Sequence, residues 1–393
     1  MLIPDSLPPL SPAEAAHSEL VAGHLRSLIT AGGGWLPFSQ FMDAALYAPG
    51  LGYYMAGQAR FGAGGDFVTA PEISPLFARC LATQVAELLE RTGGGHLVEY
   101  GAGSGSLAVG LLQALAEIDA RPRRYRIVEI SAPLRARQQE RIAQHPGLAA
   151  RVEWLDGPPA ASWQGVALAN EVLDAMPVDR FRAAGDGCEA IGVVTAGDGF
   201  AWQARPADAA LAEAVRKIGE SLPEPLPDGY VSEWRPMLPA WIEAATATLG
   251  KGALLLIDYG LPRSQYYHAS RDGGSLCAFY RHRRVEDVFA RVGLQDLTAW
   301  VDFTAVAEAA AATGLEVAGF ATQAHFLASL GIDRELTAAL RNAGAREAVA
   351  LSQGASMLLL PGEMGERFKV MALTRAIAGP LTGFSFRDLS ASL

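Results

Sequence analysis

The chain has 393 residues, half of them apolar, and a formal net charge of -10, enough for one large α/β domain with additions or for two domains. No uncharged apolar run reaches the roughly eighteen residues that suggest a membrane span, and the one basic cluster, Arg281, His282, Arg283 and Arg284, is too short for a phosphate-tracking surface. Membrane insertion and nucleic acid are therefore not expected, whereas a basic substrate suits the charge balance.

Cys80, Cys188 and Cys277 stand far apart with no CxxC or CxxH neighbour, so neither a disulfide framework nor a metal site is expected. The opening residues hold no basic or apolar leader, and the first arginine is Arg26. A cytoplasmic protein is the expectation.

In chain order, Ser11 and Pro12 form a helix-start pair, and helical spacing predicts a helix over 13–30 that Gly32, Gly33 and Gly34 end. A short helix is expected over 41–46. Residues 47–74 are too rich in Gly and Pro for long elements and read as an aromatic loop, a kind of segment that often carries function. Ser74 and Pro75 start a helix with Phe77, Leu81, Val85 and Leu88 on one face. From His96 the period changes. HLVEYG, YRIVEIS, VEWL and GVALANEVL read as strands, SLAVGLLQALAEI and LRARQQERI as helices, and their alternation predicts right-handed crossovers and a parallel sheet.

Two GDG sequences, at 185–187 and 197–199, divide a β-meander between Arg180 and Gln203. Beyond a proline-rich stretch come YVSEW, the helix of WIEAATATL and the buried strand ALLLIDYG. VDFTAVAEAAAATG reads as a helix capped by Gly314, LEVAGFATQ as a strand, 335–355 as a helical insertion and MGERFKVMALT as the last strand. The stretch after Ala376 has little pattern and is expected to be a loose tail.

The most informative segment is VEYGAGSGS. Glu99 closes a strand, and Gly101, Gly103 and Gly105 follow at alternate positions before a helix. Such glycines let backbone approach a ligand and tolerate positive φ, and the helix start offers unpaired N–H groups. Dinucleotides use the same device. Two details favour S-adenosylmethionine: the third glycine falls one residue earlier than the NAD fingerprint requires, and an acid before the loop suits a cationic sulfonium better than a pyrophosphate.

Glu129 ends the next strand, where a carboxylate can accept both hydroxyls of a ribose; a solvated strand-end acid is the bland alternative. Asp156 either accepts from an adenine amino group or merely shapes a turn before Gly157. ANEVLDAMPV lies at the carboxyl end of the fourth strand, so Asn170, Glu171 and Asp174 are candidates for the transfer site; the alternative is that both acids cap a following helix. Thr69 and Glu72 have capping-box spacing, and a helix start and a cofactor contact both stay open.

GYY at 52–54, GDFVTAPEIS at 65–74, VEYGAGSGSL, ANEVLDAMPV, LIDYG at 256–260, LTAWVDF and MGERFKVMAL together resemble the MidA family. That family includes a mitochondrial arginine methyltransferase assisting assembly of respiratory complex I. The resemblance implies an α/β fold of the class I methyltransferase type: a Rossmann-like, mostly parallel sheet with helices on both faces, an N-terminal helical extension over 1–75 and a methyltransferase domain over 76–375. Insertions would fall near 180–230 and 325–356, and a tail over 376–393. It implies S-adenosyl-L-methionine as cofactor, leaving as S-adenosyl-L-homocysteine, and a protein arginine as acceptor, such as one in a complex I subunit; a homodimer stays open.

The expected cofactor contacts are Thr69, Pro71, Glu99, Gly101, Ala102, Gly103, Ser104, Gly105, Glu129, Ile130, Leu155, Asp156 and Asn170, with Glu171 and Asp174 as the catalytic pair. Tyr100, Ala102 and Ser104 depart from the family's usual Leu, Pro and larger polar residue, and Trp300 stands where His or Asp is expected, which bears on the substrate pocket. Methylation of a small molecule or another protein nucleophile, a non-catalytic cofactor-binding assembly factor, and an NAD-dependent oxidoreductase are the competing readings.

Overall fold

The computed structural model describes residues 7–57, 69–185 and 187–393. The middle of the aromatic loop, including the GDFV of GDFVTAPEIS, and Asp186 of the first GDG lie outside the described residues. Helix α1 (Pro12–Ala31) begins on a full capping box: Ser11 accepts from the Glu14 N–H while the Glu14 carboxylate accepts from the Ser11 N–H. It is followed by α2 (Phe38–Tyr47), the short α3 (Ala70–Ile73) and α4 (Pro75–Arg91), whose Ser74 cap accepts from the Leu76 N–H.

The alternating segment follows: β1 (His96–Tyr100), α5 (Ser106–Glu117), β2 (Tyr125–Val128), α6 (Ala132–Ala143), α7 (Pro146–Ala149), β3 (Val152–Leu155) and β4 (Trp163–Asn170). An inserted antiparallel sheet holds β5 (Asp179–Ala184), β6 (Gly187–Ala196) and β7 (Gly199–Pro206), then α8 (Ala209–Ser221) and β8 (Val231–Trp234), which pairs back on β5. After α9 (Leu238–Thr246) comes β9 (Leu249–Leu261) and then α10 (Arg263–Tyr266). A second small sheet is built from β10 (Cys277–Tyr280), β11 (Arg283–Val285) and β12 (Asp296–Thr298). The chain closes with β13 (Val301–Asp302), α11 (Phe303–Ala312), β14 (Glu316–Thr322), α12 (Gln323–Ser329), α13 (Ile332–Leu340), α14 (Ala345–Leu359), α15 (Met364–Arg367) and β15 (Phe368–Arg375).

The central sheet runs β14-β15-β9-β4-β1-β2-β3, with β13 beside β9. β15 pairs antiparallel with both neighbours, and the remaining pairs on this path are parallel. The mostly parallel Rossmann-like expectation holds. Successive strand residues face opposite sides, and both sides are buried: Leu97, Ile127, Val166 and Leu255 pack under α4 and α5, while Val98, Val128, Ala167 and Leu254 pack under α9 and α11. Each fully buried Leu, Ile or Val contributes about 1.5–3 kcal/mol, so the sheet that carries the strand ends is the stiff part of the molecule. A separate cluster joins α1 and α2 to the small sheet through Val21, Leu25, Phe41, Val285 and Leu297.

Three departures from the sequence reading have identifiable causes. Helix α8 was not anticipated, although Leu211, Val215 and Ile218 form its buried stripe and Asp208 caps it through the Leu211 N–H. The helical insertion is three helices beginning at Gln323. The stretch after Ala376 is docked and not loose: Leu381 and Phe384 are buried, Phe384 lies 5.4 Å from Phe326 between ring centres, and the Gly383 N–H donates to Gln84 at 2.8 Å.

Candidate active site

The carboxyl ends of β1, β2, β4 and β9 open into one cleft of about 1250 Å³, the place where open α/β sheets bind ligands. Its far wall comes from α2 and the small sheet. The glycine loop after β1 takes positive φ at Gly101, Gly103 and Gly105 (64°, 51° and 81°), a conformation that a side chain strains. At Gly101 a Cβ would also stand 3.0 Å from Val172.

Glu99 lies under this loop, almost fully buried, and accepts from the Tyr125 hydroxyl at 2.7 Å. Burial pushes its carboxyl up to about 7 against the pull of that hydrogen bond. Glu129 is buried too, so the reading as a solvated strand end does not apply. It accepts from the Ser131 N–H at 2.8 Å and from Gln138 Nε2 at 2.9 Å, and burial raises its pKa despite these donors. Gln138 also donates to the Gly103 carbonyl at 3.0 Å and accepts from Trp154 at 3.0 Å, which ties the acid to the loop. Nothing in the sequence singled this glutamine out, because the link exists only once α6 crosses the loop.

After β4 no helix follows, which corrects the reading of Glu171 and Asp174 as caps. The chain turns at Glu171 with φ 54°, a left-handed conformation costing a side-chain-bearing residue on the order of 1–3 kcal/mol. Buried Asp258, in the last third of β9 and just beyond the stretch that pairs with β4, holds this turn. Its Oδ2 accepts the N–H groups of Val172, Leu173 and Asp174 at 3.2, 2.8 and 3.2 Å, and its Oδ1 accepts from Tyr259 at 2.8 Å. Asp258 is thus turned to the backbone and is not among the residues that line the cleft.

Asn170 Nδ2 donates to Glu171 at 3.1 Å, the Ala70 N–H donates to the same carboxylate, and Thr298 Oγ1 donates to Asp174 at 2.8 Å. Burial raises both acids, Glu171 to about 8 with the nearby Asp174 charge adding to the push. The Asn170 Oδ1 is buried with no partner. Across the cleft the Tyr54 hydroxyl donates to Asp296 at 2.8 Å, and Tyr47 stacks on Tyr54.

Of the residues expected from sequence, Thr69, Pro71, Glu99, Gly101, Ala102, Gly103, Ser104, Glu129, Ile130, Asn170, Glu171 and Asp174 line this cleft, as do His282 and Trp300. Gly105 caps α5 beside it, while Leu155 and Asp156 are not among the lining residues. Asp156 is exposed and pairs with Arg135 at 2.7 Å. Thr69 stands at the start of α3, but the capping box that its spacing from Glu72 allows is not formed: Thr69 makes no side-chain cap bond, and Glu72 instead accepts from Ser104 and Arg141. Missed altogether were Tyr47, Trp241, Asp296 and Thr298; the aromatic richness of the loop was the one available signal for Tyr47. Among the described residues no group of three or more His, Cys, Asp or Glu could hold a metal ion, and no helix is long and apolar enough to cross a membrane.

Comparison with known proteins agrees with this geometry. A family model described as S-adenosyl-L-methionine-dependent methyltransferase matches residues 80–321. The chain is 30% identical to the mitochondrial protein arginine methyltransferase NDUFAF7 homolog of Drosophila melanogaster, over 95% of this chain and 90% of that protein. It is also 30% identical to the mitochondrial protein arginine methyltransferase NDUFAF7 of Mus musculus, over 92% and 86%. A protein from Burkholderia thailandensis, crystallised with S-adenosyl-homocysteine, is 42% identical and has a TM-score of 0.92, covering 99% of this chain and 100% of that one. The mitochondrial names of the curated relatives overturn the cytoplasmic expectation. That expectation rested on a missing presequence, and an absence of that kind carries no weight.

Proposed function

Because this chain belongs to the MidA-type family of S-adenosyl-L-methionine-dependent methyltransferases, we propose that it methylates an arginine of a protein, with Glu171 and Asp174 receiving the guanidinium. The observation that carries the reading is the crowding of Glu171, Asp174 and Asp258 where β4 and β9 end: burial raises all three acids, and the neighbouring carboxylates add to the push on Glu171 and Asp258. Such a group of acids is stabilised by an incoming cation. The family resemblance makes a complex I subunit the first protein substrate to test.

The residues present fit the cofactor. Buried Glu99 and the unpartnered Asn170 Oδ1 suit an ammonium group, the glycines leave room for backbone contact, Glu129 keeps accepting capacity for ribose hydroxyls, and Ile130 with Trp241 provides apolar surface for a flat base. When bound, the cofactor supplies an electrophilic methyl carbon on a sulfonium, a good leaving group. The chain's own work is to position and deprotonate. A free guanidinium is a poor nucleophile, with a pKa above about 12. Two carboxylates on one side of it draw charge away from the attacking nitrogen, and Glu171, with its pKa raised to about 8, accepts the proton during or after transfer once it is ionised. Holding the reactants in line saves on the order of 7–11 kcal/mol of barrier.

Incubating the purified protein with labelled methyl donor and cell lysate, then hydrolysing the labelled product, is expected to yield methylarginine. Label on another residue, or on a small molecule, would refute the acceptor assignment. A second expectation concerns pH. Raised acids stabilise the fold fully below their unfolded pKa, and that stability is lost as pH rises through about 7 for Glu99 and about 8 for Glu171. The Glu171→Gln protein should therefore gain stability relative to wild type as pH rises from 5 to 9, by up to about 1.4 kcal/mol per pH unit in the affected window. Denaturant unfolding of both proteins across that range measures it, and a flat difference would mean that Glu171 is ionised throughout.

A further inference from the structure

The cleft carries opposite charge at its two depths. Glu99, Glu129, Asp174 and Asp296 line it while each is less than a tenth exposed. Arg284 and Arg367, which line it too, are exposed, and Arg271 is half-buried. Carboxylates therefore dominate the floor and arginines the mouth, where one exposed acid of the lining, Asp43, stands against the three. The three arginines come from β11, α15 and the 3-10 turn Ala269–Arg271, so no single basic run in the sequence announces them. Among the described residues no carboxylate pairs with any of the three. Arg271 lies over the Trp300 ring, 4.8 Å from its centre, which leaves the edge of its guanidinium for a partner.

A cationic side chain bound for the floor is repelled by this mouth on its way in, unless the polypeptide that bears it brings negative charge. Guanidinium groups bind carboxylates in a two-pronged geometry that fixes orientation as well as adding energy. Opposite charges at a rim also speed encounter and set register. We infer that Arg271, Arg284 and Arg367 read aspartate or glutamate residues flanking the methylated arginine, so that the partner is an acidic segment of a protein. The inference rests on the protein-substrate reading above, and its test separates the two.

Calorimetry on the full chain with S-adenosyl-homocysteine present would compare three peptides of one length around a central arginine, with Glu, Gln or Lys flanks, alongside methylation of each. The expected result is about tenfold tighter binding of the Glu-flanked peptide at low salt, shrinking as salt is added. The double variant R284E/R367E changes exposed, unpaired side chains and should fold normally; its preference is expected to reverse toward Lys flanks. Equal affinity for Glu and Gln flanks in the wild type, an unchanged preference in the double variant, or tighter binding of a single-stranded oligonucleotide would each overturn the inference. Preferential binding of the Glu-flanked peptide with no methylation of its arginine would uphold the acidic mouth and overturn the acceptor assignment instead.

Discussion

Glu171→Gln is expected to lower kcat by about 10²- to 10⁴-fold, the range for loss of a positioned proton acceptor, with cofactor affinity within a factor of about two. The amide keeps the size of the side chain and an oxygen for Asn170 and Ala70 to donate to, so the turn should survive. What disappears is the negative charge and the site that takes the proton. Wild-type kcat/KM should rise with pH and level off above about 8, because Glu171 is protonated in the empty cleft at lower pH and must ionise to act. The variant should lose that limb along with its rate. Full turnover in the variant, with normal cofactor binding by calorimetry, would remove Glu171 from the mechanism. A fall in cofactor affinity equal to the fall in kcat would make it a binding residue instead.

Much of the cofactor half of the site was legible because its signals are local. Glu99 is next to last in a strand of five residues, Glu129 directly follows one of four, and three alternating glycines bridge from the first strand into a helix. Strand period, strand end and turn chemistry all lie within a dozen residues. The substrate half is assembled differently. Tyr47 is on α2, Asp296 and Thr298 are on a three-residue strand, and Arg367 precedes β15. Strands so short show no alternation to read, and the residues meet only through long-range packing of α1 and α2 on the small sheet. The docked C-terminal stretch escaped for a related reason. Leu381 and Phe384 are isolated apolar residues among polar ones, and what buries them is Phe326 and the helices around it, not any period of their own.

Asp258 shows how far a single long-range contact decides the site, and Asp258→Ala should have the second large effect. The sequence places this residue near the end of a buried strand, but shows neither its neighbour β4 nor its partners. In the folded chain it accepts four backbone N–H groups, three of them from the turn that carries Glu171 and Asp174. Removing the carboxylate leaves those donors buried without an acceptor, at about 1–3 kcal/mol for each that water does not reach. Part of that loss is offset, since a buried anion next to Glu171 and Asp174 is also gone. The net expectation is a loss of about 3 kcal/mol in denaturant unfolding and a fall in kcat of about 10²-fold or more, because the left-handed turn at Glu171 has lost its brace. Asp258→Asn keeps one oxygen for the three turn donors and should recover most of the stability. Its amide nitrogen, however, faces the Tyr259 N–H, so kcat should recover less than stability does. Should Asp258→Ala unfold at the wild-type midpoint, or Asp258→Asn regain rate and stability in equal measure, the turn holds itself without this acid, and the geometry of the acidic pair must be set from the Thr298 and Asn170 side instead.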